Sequence, residues 1–495
     1  MGRELGRDVG GFAAFTNAFD ALGRLTGQTV AARDGRAIQH RAYSYRADGH
    51  LIGVDDHLDG ARRFDLDPAG RVTAVHAANW TETYAYDEAG NQTTADWPAT
   101  HPGHEATGPR AYTGTALTRA GAVRYEHDAL GRVTLRRKTR LSRKPDTWRH
   151  TWDAEDRLTS TTTPDGTVWH YTYDPLGRRT AKLRLSPDGT TVTERTVFTW
   201  DGTTLCEQTT TAPDHLPNPV TLTWDHAGLR PIAQTERIVP REAPVAGGET
   251  GPDVHAGPAW AHGTAGPPPE ASDLASASEA SRTEVDSRFF AIVTDLVGTP
   301  SELVDERGEI AWRTRSTLWG TTAWTADSTT YTPLRFPGQY FDPETGLHYN
   351  YFRHYDPETA RYLTIDPLGL QPAPNPTTYI HNPHIRIDPL GLAPSKCPDI
   401  DPVAREIARH ASEEALRPDG DGTHYVRGVH PNALDVYVDG VINEDVPGLD
   451  IRYNLRHGRV GYWDPDKEAV VIEDGEGGTV FTPRGGKDWF DNVLE

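Results

Sequence analysis

The sequence predicts a mainly β protein: a shell segment of stacked β-hairpins with a compact plug, followed by a small α+β domain. Three observations predict it. A short aromatic–Asp–Gly–Arg unit recurs through the first half. The stretches between its copies alternate apolar and polar residues, as half-buried strands do. The sequence then changes character after Leu392.

The recurring unit is an aromatic residue or His, an Asp, two variable residues, Gly, Arg and an apolar residue. It reads FDALGRL from Phe19, YDEAGNQ from Tyr86, HDALGRV from His127, WDAEDRL from Trp152 and YDPLGRR from Tyr173. Looser copies start at Tyr45, Leu66, Trp200 and Trp224. Copies follow one another every 20 to 27 residues, with one gap of 41 that marks a missing or degenerate copy. Each element has a local reason. The Asp opens a turn by accepting backbone N–H groups, and the Gly supplies positive φ at little steric cost. The Arg and the apolar residue start the return strand, as in the flanks TVWHYTYD and VRYEHD. One such hairpin cannot bury its own apolar face, but stacked neighbours can. This region is assigned to residues 1–237.

Composition agrees: Trp (13) and Tyr (19) are frequent, as strands favour, and Gly (47) and Pro (38) supply turns. A net charge of −21 argues against nucleic-acid binding by the whole chain. No apolar run approaches the roughly 20 residues of a membrane span. MGRELGRDVGGFAAF has no apolar h-region, so no cleaved N-terminal signal is expected. Cys206 and Cys397 form no CxxC motif and are read as unpaired thiols.

Residues 238–288 are rich in Ala, Gly, Pro, Ser and Glu and read as a disordered linker, with His255 and His262 solvated. Order resumes at FFAIVTDLVGTPSELVDERG, where short strands alternate with turns at 295–300 and 305–308. Residues 289–392 form the next expected unit. It holds RFPGQYFDPETGLHYN and two copies of DPLGL, at 366–370 and 388–392.

These motifs resemble the YD repeats and the Rhs-repeat-associated core of Rhs proteins, toxin-complex C subunits and teneurins. The resemblance covers most of residues 15–392. It implies a hollow β-shell of spiralling repeats. Nine units are few for a closed shell, and the chain begins inside the repeat pattern, so either a truncated reading frame or a piece that completes a larger shell is expected. The resemblance also implies self-cleavage after the PxxxxDPxGL pattern, here Pro383–Leu392, at the Leu392–Ala393 bond. An aspartyl-protease-like pair is implied: Asp388 in the cleaved segment and Asp366 in the first DPLGL. Two carboxyls sharing one proton can hydrolyse a peptide bond, one as acid and one as base. Each Asp is equally suited to opening a turn. Arg361 is a candidate to hold a nearby carboxylate.

Residues 393–495 contain no repeat unit. DPVAREIARHASEEALR reads as an amphipathic helix capped by Asp401, and 430–442 as a second helix. LDIRYNL, RVGYWD, AVVIED and GTVFTP read as strands, and 488–494 as a last helix. Its place behind the cleavage motif fits the effector tips of polymorphic toxins used in interbacterial competition. Such a family membership implies a cognate immunity protein and a secretion-system component as partners. The resemblance further implies that the producing cell makes the protein in its cytoplasm and delivers it outside or to a cell surface. No HExxH, HxE with PCxxC or GxSxG motif is present, and no metal or cofactor is expected. The closing strands resemble small RNase toxins of barnase-like or colicin-like fold. That resemblance makes RNA the target, with His424, His430 and His457 for proton transfer, Arg456 and Arg459 for phosphate, and Thr479 for orientation. The charge of 393–495, 11 basic against 21 acidic residues, runs against a nuclease. A tip with another enzymatic activity and a non-enzymatic structural or recognition protein stay open as alternatives.

Overall fold

A computed structural model gives the architecture. It describes residues 4–238 and 286–392 with few gaps, and parts of 395–492. Two compact units divide the chain, 1–394 and 395–495.

The first unit is dominated by one 25-stranded antiparallel sheet from Gly6–Val9 to Thr322–Trp324. Each strand pairs with the next in sequence, so the sheet is one long meander. It coils back on itself: Phe12, Phe15, Val30 and Ile38 from its start share a core with Ala291, Val293 and Val304 from its end.

The repeat chemistry builds this sheet in a regular way. At Asp128, the carboxylate accepts the N–H groups of Leu130 (2.9 Å) and Arg132 (3.0 Å) and the Arg132 Nε (2.7 Å). Asp20, Asp67, Asp153 and Asp174 make the same three bonds to the residues two and four places on. The residue between them sits at positive φ. It is glycine at 131 (φ 80°) but Asp156 (φ 60°) in the WDAEDRL copy, where the side chain binds Arg132 at 3.1 Å.

Neighbouring repeats are tied by two reciprocal bonds. The aromatic residue of one copy donates to a strand carbonyl of the copy before it: Tyr45 to Leu25, Tyr86 to Val72, Trp152 to Val133, Tyr173 to Leu158 and Trp200 to Arg179, all at 2.7–3.0 Å. The Arg of one copy donates forward to the next turn: Arg71 to Asp87, Arg132 to Asp153 and Arg178 to Gly202. Tyr112 donates to Gln92 in the same way (2.8 Å). It therefore fills the gap of 41 residues as a degenerate copy whose turn lacks the Asp and Arg.

The expected linker lies mostly outside the described residues. Its ends are strand: Ile238 pairs with Asp286, so Arg230–Ile238 and Asp286–Thr294 are neighbours in the sheet. The turns at 295–300 and 305–308 thus belong to the same meander as the repeats.

Residues 334–392 form the plug. Its short strands Tyr340–Asp342, Leu347–Asn350, Arg353–Asp356 and Arg361–Tyr362 make a four-stranded sheet packed with Tyr and His. The meander grips it with buried ion pairs. Arg179, fully buried, binds both oxygens of Asp342 (2.7 and 3.0 Å), and Lys182 binds Glu344 (3.0 Å). Lys138 pairs with Glu358, and the Tyr125 hydroxyl donates to Asp356 (2.9 Å). Removing one partner of such a pair leaves a buried charge and costs about 3–5 kcal/mol.

The second unit holds a helix at Leu434–Ile442, a four-stranded antiparallel sheet and a helix at Lys487–Asn492. The strands are Asp450–Arg452, Val460–Asp464, Ala469–Glu473 and Gly478–Phe481. Leu455, Trp463, Val470, Ile472 and Phe490 form its core. Residues 407–411 are helical, with Ile407 and Ala411 buried; the rest of the first expected helix lies outside the described residues. No helix among the described residues is long and apolar enough to cross a membrane.

Candidate active site

The two DPLGL segments meet inside the plug. Asp366 is 5% exposed, Asp388 1% and Leu392 3%, so all three are shielded from bulk water. Asp366 opens a turn by accepting the Leu368 N–H (2.8 Å), and its own N–H donates to the Pro376 carbonyl (2.9 Å). Asp388 reaches further: its Oδ1 accepts the N–H of Leu392, four residues on, at 2.8 Å. That bond folds PLGL into a loop that lays the Leu392 main chain against the Asp388 carboxyl.

Close packing fixes the loop. The plug glycine Gly338 (φ 83°) leaves space that the Pro389 carbonyl fills; a Cβ there would stand 1.9 Å from that oxygen. The Asp388 carbonyl accepts from Asn350 Nδ2 (2.8 Å), and the Leu390 carbonyl accepts from the Phe352 N–H (3.1 Å). Arg353 Nε donates to the Gly391 carbonyl.

Arg353 joins the two carboxyls. Its Nη2 lies 2.7 Å from Asp366 Oδ2 and 3.4 Å from Asp388 Oδ2, while Nη1 donates to the Pro376 carbonyl (3.0 Å). Its guanidinium stacks on the Tyr362 ring, 3.6 Å from the centroid. The Tyr362 hydroxyl donates to Asp388 Oδ2 (2.7 Å) and accepts from Asn350 Nδ2 (2.8 Å). Burial pushes the Asp366 carboxyl up to about 6, against the attraction of Arg353. Below about pH 6, then, Asp366 carries a proton, one cation holds it and Asp388, and Asp388 in turn holds the Leu392 main chain.

The RHS Repeat family matches residues 152–191, and the RHS protein family matches residues 290–330. The chain is 32% identical to Double-stranded DNA deaminase toxin A of Burkholderia cenocepacia over 403 residues, covering 77% of this chain and 24% of that protein. It is 31% identical to Toxin protein Tse5 of Pseudomonas aeruginosa over 389 residues, covering 73% of this chain and 27% of that one. The chain belongs to the Rhs/YD-repeat polymorphic toxin family. It spans about a quarter of the length of these curated relatives. The fold is also that of a chain in the Photorhabdus luminescens Tc holotoxin pore, with a TM-score of 0.58 at 18% identity, over 80% of this chain and 19% of that one.

In this Rhs chain the structure brings Asp366, Asp388 and Leu392 together; Ala393 lies outside the described residues. Arg361 does not serve the pair. It binds Asn91 Oδ1 (2.8 Å) and the hydroxyl of Thr377, on the side facing the meander. The cation between the carboxyls is Arg353, and with it come Tyr362 and Asn350, none of which the motif reading had singled out. A buried Arg within an aromatic run, YFRHYD, was the only signal available.

Of the residues considered for the C-terminal unit, His424, His430 and His457 lie outside the described residues. Arg456 is exposed, and the nearby Arg459 Nε donates to its carbonyl (2.9 Å). Thr479 is on the edge strand Gly478–Phe481, opposite Ile472. Cys206 is half-buried, its thiol donating to the Thr199 carbonyl; Cys397, His255 and His262 lie outside the described residues.

Proposed function

We propose that this chain is the shell-and-plug portion of an Rhs toxin that cuts itself between Leu392 and Ala393 and so frees the following residues as an effector. One observation carries this reading: Arg353 holds Asp366 and Asp388 together, and Asp388 also holds the Leu392 N–H. The Asp388 carboxylate takes a proton from a water as its oxygen attacks the Leu392 carbonyl carbon. The Asp366 carboxyl gives its proton to the Ala393 nitrogen, and the C–N bond breaks. The products are a Leu392 carboxylic acid and a new N-terminus at Ala393. Arg353 stabilises the negative charge of the site throughout. Because Asp366 must carry a proton, cleavage slows as pH rises past about 6.

Mass spectrometry of the expressed chain tests the reading. A fragment that begins at Ala393 is expected from the wild type and absent from Asp388→Asn and Asp366→Asn. An uncut wild-type chain over the pH range 5–7 would overturn it.

What the freed part does is read more coarsely. Both named relatives carry toxin names, one of them a DNA deaminase toxin, which supports an effector delivered from the producing cell and neutralised there by an immunity protein. RNA as its target has no support from these names.

A further inference from the structure

We propose that Tyr362 is a positioning residue for self-cleavage: its hydroxyl fixes the Asp388 carboxylate in the orientation from which it draws the proton from water. This rests on the reading that Asp388 is the base.

The two oxygens of Asp388 have separate duties. Oδ1 is bound to the Leu392 N–H at 2.8 Å, which ties the carboxyl to the residue being cut. Oδ2 has two donors of unequal strength. Arg353 Nη2 is 3.4 Å away and sits much closer to Asp366, at 2.7 Å. The Tyr362 hydroxyl is 2.7 Å away and is therefore the principal partner of Oδ2. A short bond to a carboxylate oxygen fixes the plane of the carboxyl and so the direction in which its lone pairs point.

The hydroxyl is itself fixed by its surroundings. Its ring lies between the Arg353 guanidinium at 3.6 Å and the rings of Tyr355 and Tyr379 at 5.9 and 5.8 Å. Asn350 Nδ2 donates to the phenol oxygen and also to the Asp388 carbonyl, both at 2.8 Å. One amide nitrogen thus references both the phenol and the aspartate main chain, leaving the phenol hydrogen one acceptor to point at. Burial, together with the nearby Asp388 charge, holds the phenol protonated well beyond any pH at which the site works, so it always donates. Strand alternation does the aiming: Tyr362 faces Asp388 because its neighbour Arg361 faces the meander.

The test follows the full chain from synthesis in a cell-free system, measuring the rate of appearance of the fragment starting at Ala393 across pH 4–8. Wild type, Asp388→Asn, Tyr362→Phe and Tyr125→Phe are compared, with melting temperatures of cleavage-blocked versions. Tyr125 also donates to a buried plug carboxylate, Asp356, but not at this site. Tyr362→Phe is expected to cut about 10- to 100-fold more slowly, the loss of one bond to a charged group. Its rate should fall across this pH range while its cleavage-blocked version melts close to that of Tyr125→Phe, as a positioning role rather than a loosened plug requires. Tyr125→Phe should keep the wild-type pH profile. A Tyr362→Phe chain with wild-type rate and profile overturns the role of Tyr362 while leaving self-cleavage intact; an uncut wild type overturns both. If Tyr362→Phe does not fold, difluorotyrosine at 362 keeps the shape and strengthens the donor. It should cut at least as fast as the wild type, and a rate about 10-fold or more below wild type overturns the proposal.

Discussion

The tetrapeptide Asp-Pro-Leu-Gly occurs in three places, at 174–177, 366–369 and 388–391, and its neighbours give it different chemistry. At 174 the residue four places on is Arg178, whose Nε and N–H both bind the carboxylate, so the turn carries its own counter-ion. At 366 and 388 that place is taken by Leu370 and Leu392. Their carboxyls are buried and share one distant cation, Arg353. In the equivalent repeat turn at Asp128, burial opposes ionisation, but the Arg132 bonds outweigh it and hold the carboxyl below its usual range. At Asp366 burial wins, and the carboxyl rises to about 6. The Asp128 turn, with its cation local, thus keeps its carboxyl ionised, while the Asp366 turn, with its cation remote and shared, lets its carboxyl hold a proton up to about pH 6.

The sharpest way to break this comparison is to remove each cation. Arg353→Met leaves two buried carboxyls with no counter-ion and should cost about 3–5 kcal/mol as well as cleavage. Arg178→Ala takes one partner from a partly exposed pair and should cost about 1 kcal/mol or less. Urea denaturation of the two variants, each in a cleavage-blocked background, measures the difference. Similar losses would mean that the plug carboxyls do not depend on the shared cation.

Within the meander, proton linkage separates a buried strand carboxyl from the repeat turns, in opposite directions. Glu82 lies buried in the meander, accepting from the Tyr84 hydroxyl (2.7 Å) and from the N–H of Leu318 in the meander's last turn (2.9 Å). Burial pushes it up to about 7 from an ordinary 4.5. Its folded value is raised, so its contribution is full below pH 4.5 and is lost as pH climbs to about 7. The loss is about 3 kcal/mol. The repeat-turn carboxylates of Asp67, Asp128 and Asp153 are lowered, because bonds from Arg71, Arg132 and Arg157 outweigh burial. They stabilise above their ordinary value and lose that effect as pH falls below about 4. Glu82→Gln should therefore flatten the decline of stability between pH 4.5 and 7 and leave the acid limb alone. A parallel shift at every pH would show that Glu82 does not titrate in this range.

The comparison can also be sharpened by converting one turn into the other. Leu370 is 67% exposed and four residues after Asp366, where Arg178 stands relative to Asp174. Leu370→Arg gives Asp366 a local cation. Its carboxyl should then fall by about one pH unit, and the pH at which cleavage slows should fall with it. An unchanged profile would show that the turn cannot accept a guanidinium at that position.

These contrasts show which parts of the molecule could be read from the sequence. The repeat turns were legible because Asp, Gly and Arg act on one another within five residues. Tyr112 was not, because its copy lost the turn residues and kept only the aromatic bond to Gln92. Asp366 and Asp388 were legible from their duplicated motif. Arg353 was not, since nothing in YFRHYD separates a cation that bridges 13 and 35 residues of chain from the many others. Arg361 was the nearer choice in sequence, but it adjoins Tyr362 on a strand, and adjacent strand residues face opposite ways.

The smallest effect comes from one substitution made in both regions. Tyr173 is half-buried and Tyr362 buried, both against neighbouring rings, and each donates one hydroxyl bond. The acceptor of Tyr173 is the neutral Leu158 carbonyl, at 2.9 Å, and it serves only to tie one repeat to the one before it. Tyr173→Phe should lower stability by about 1 kcal/mol and leave the rate and pH profile of cleavage unchanged. Its ring, which packs beside Leu158 and Trp169, stays in place, so the loss is that of the bond alone. If Tyr173→Phe slowed cleavage as much as Tyr362→Phe, the effect of a lost phenol would be general loosening transmitted to the plug. A stability loss without a cleavage effect at 173, beside a cleavage effect at 362, assigns the difference to the charge on the acceptor.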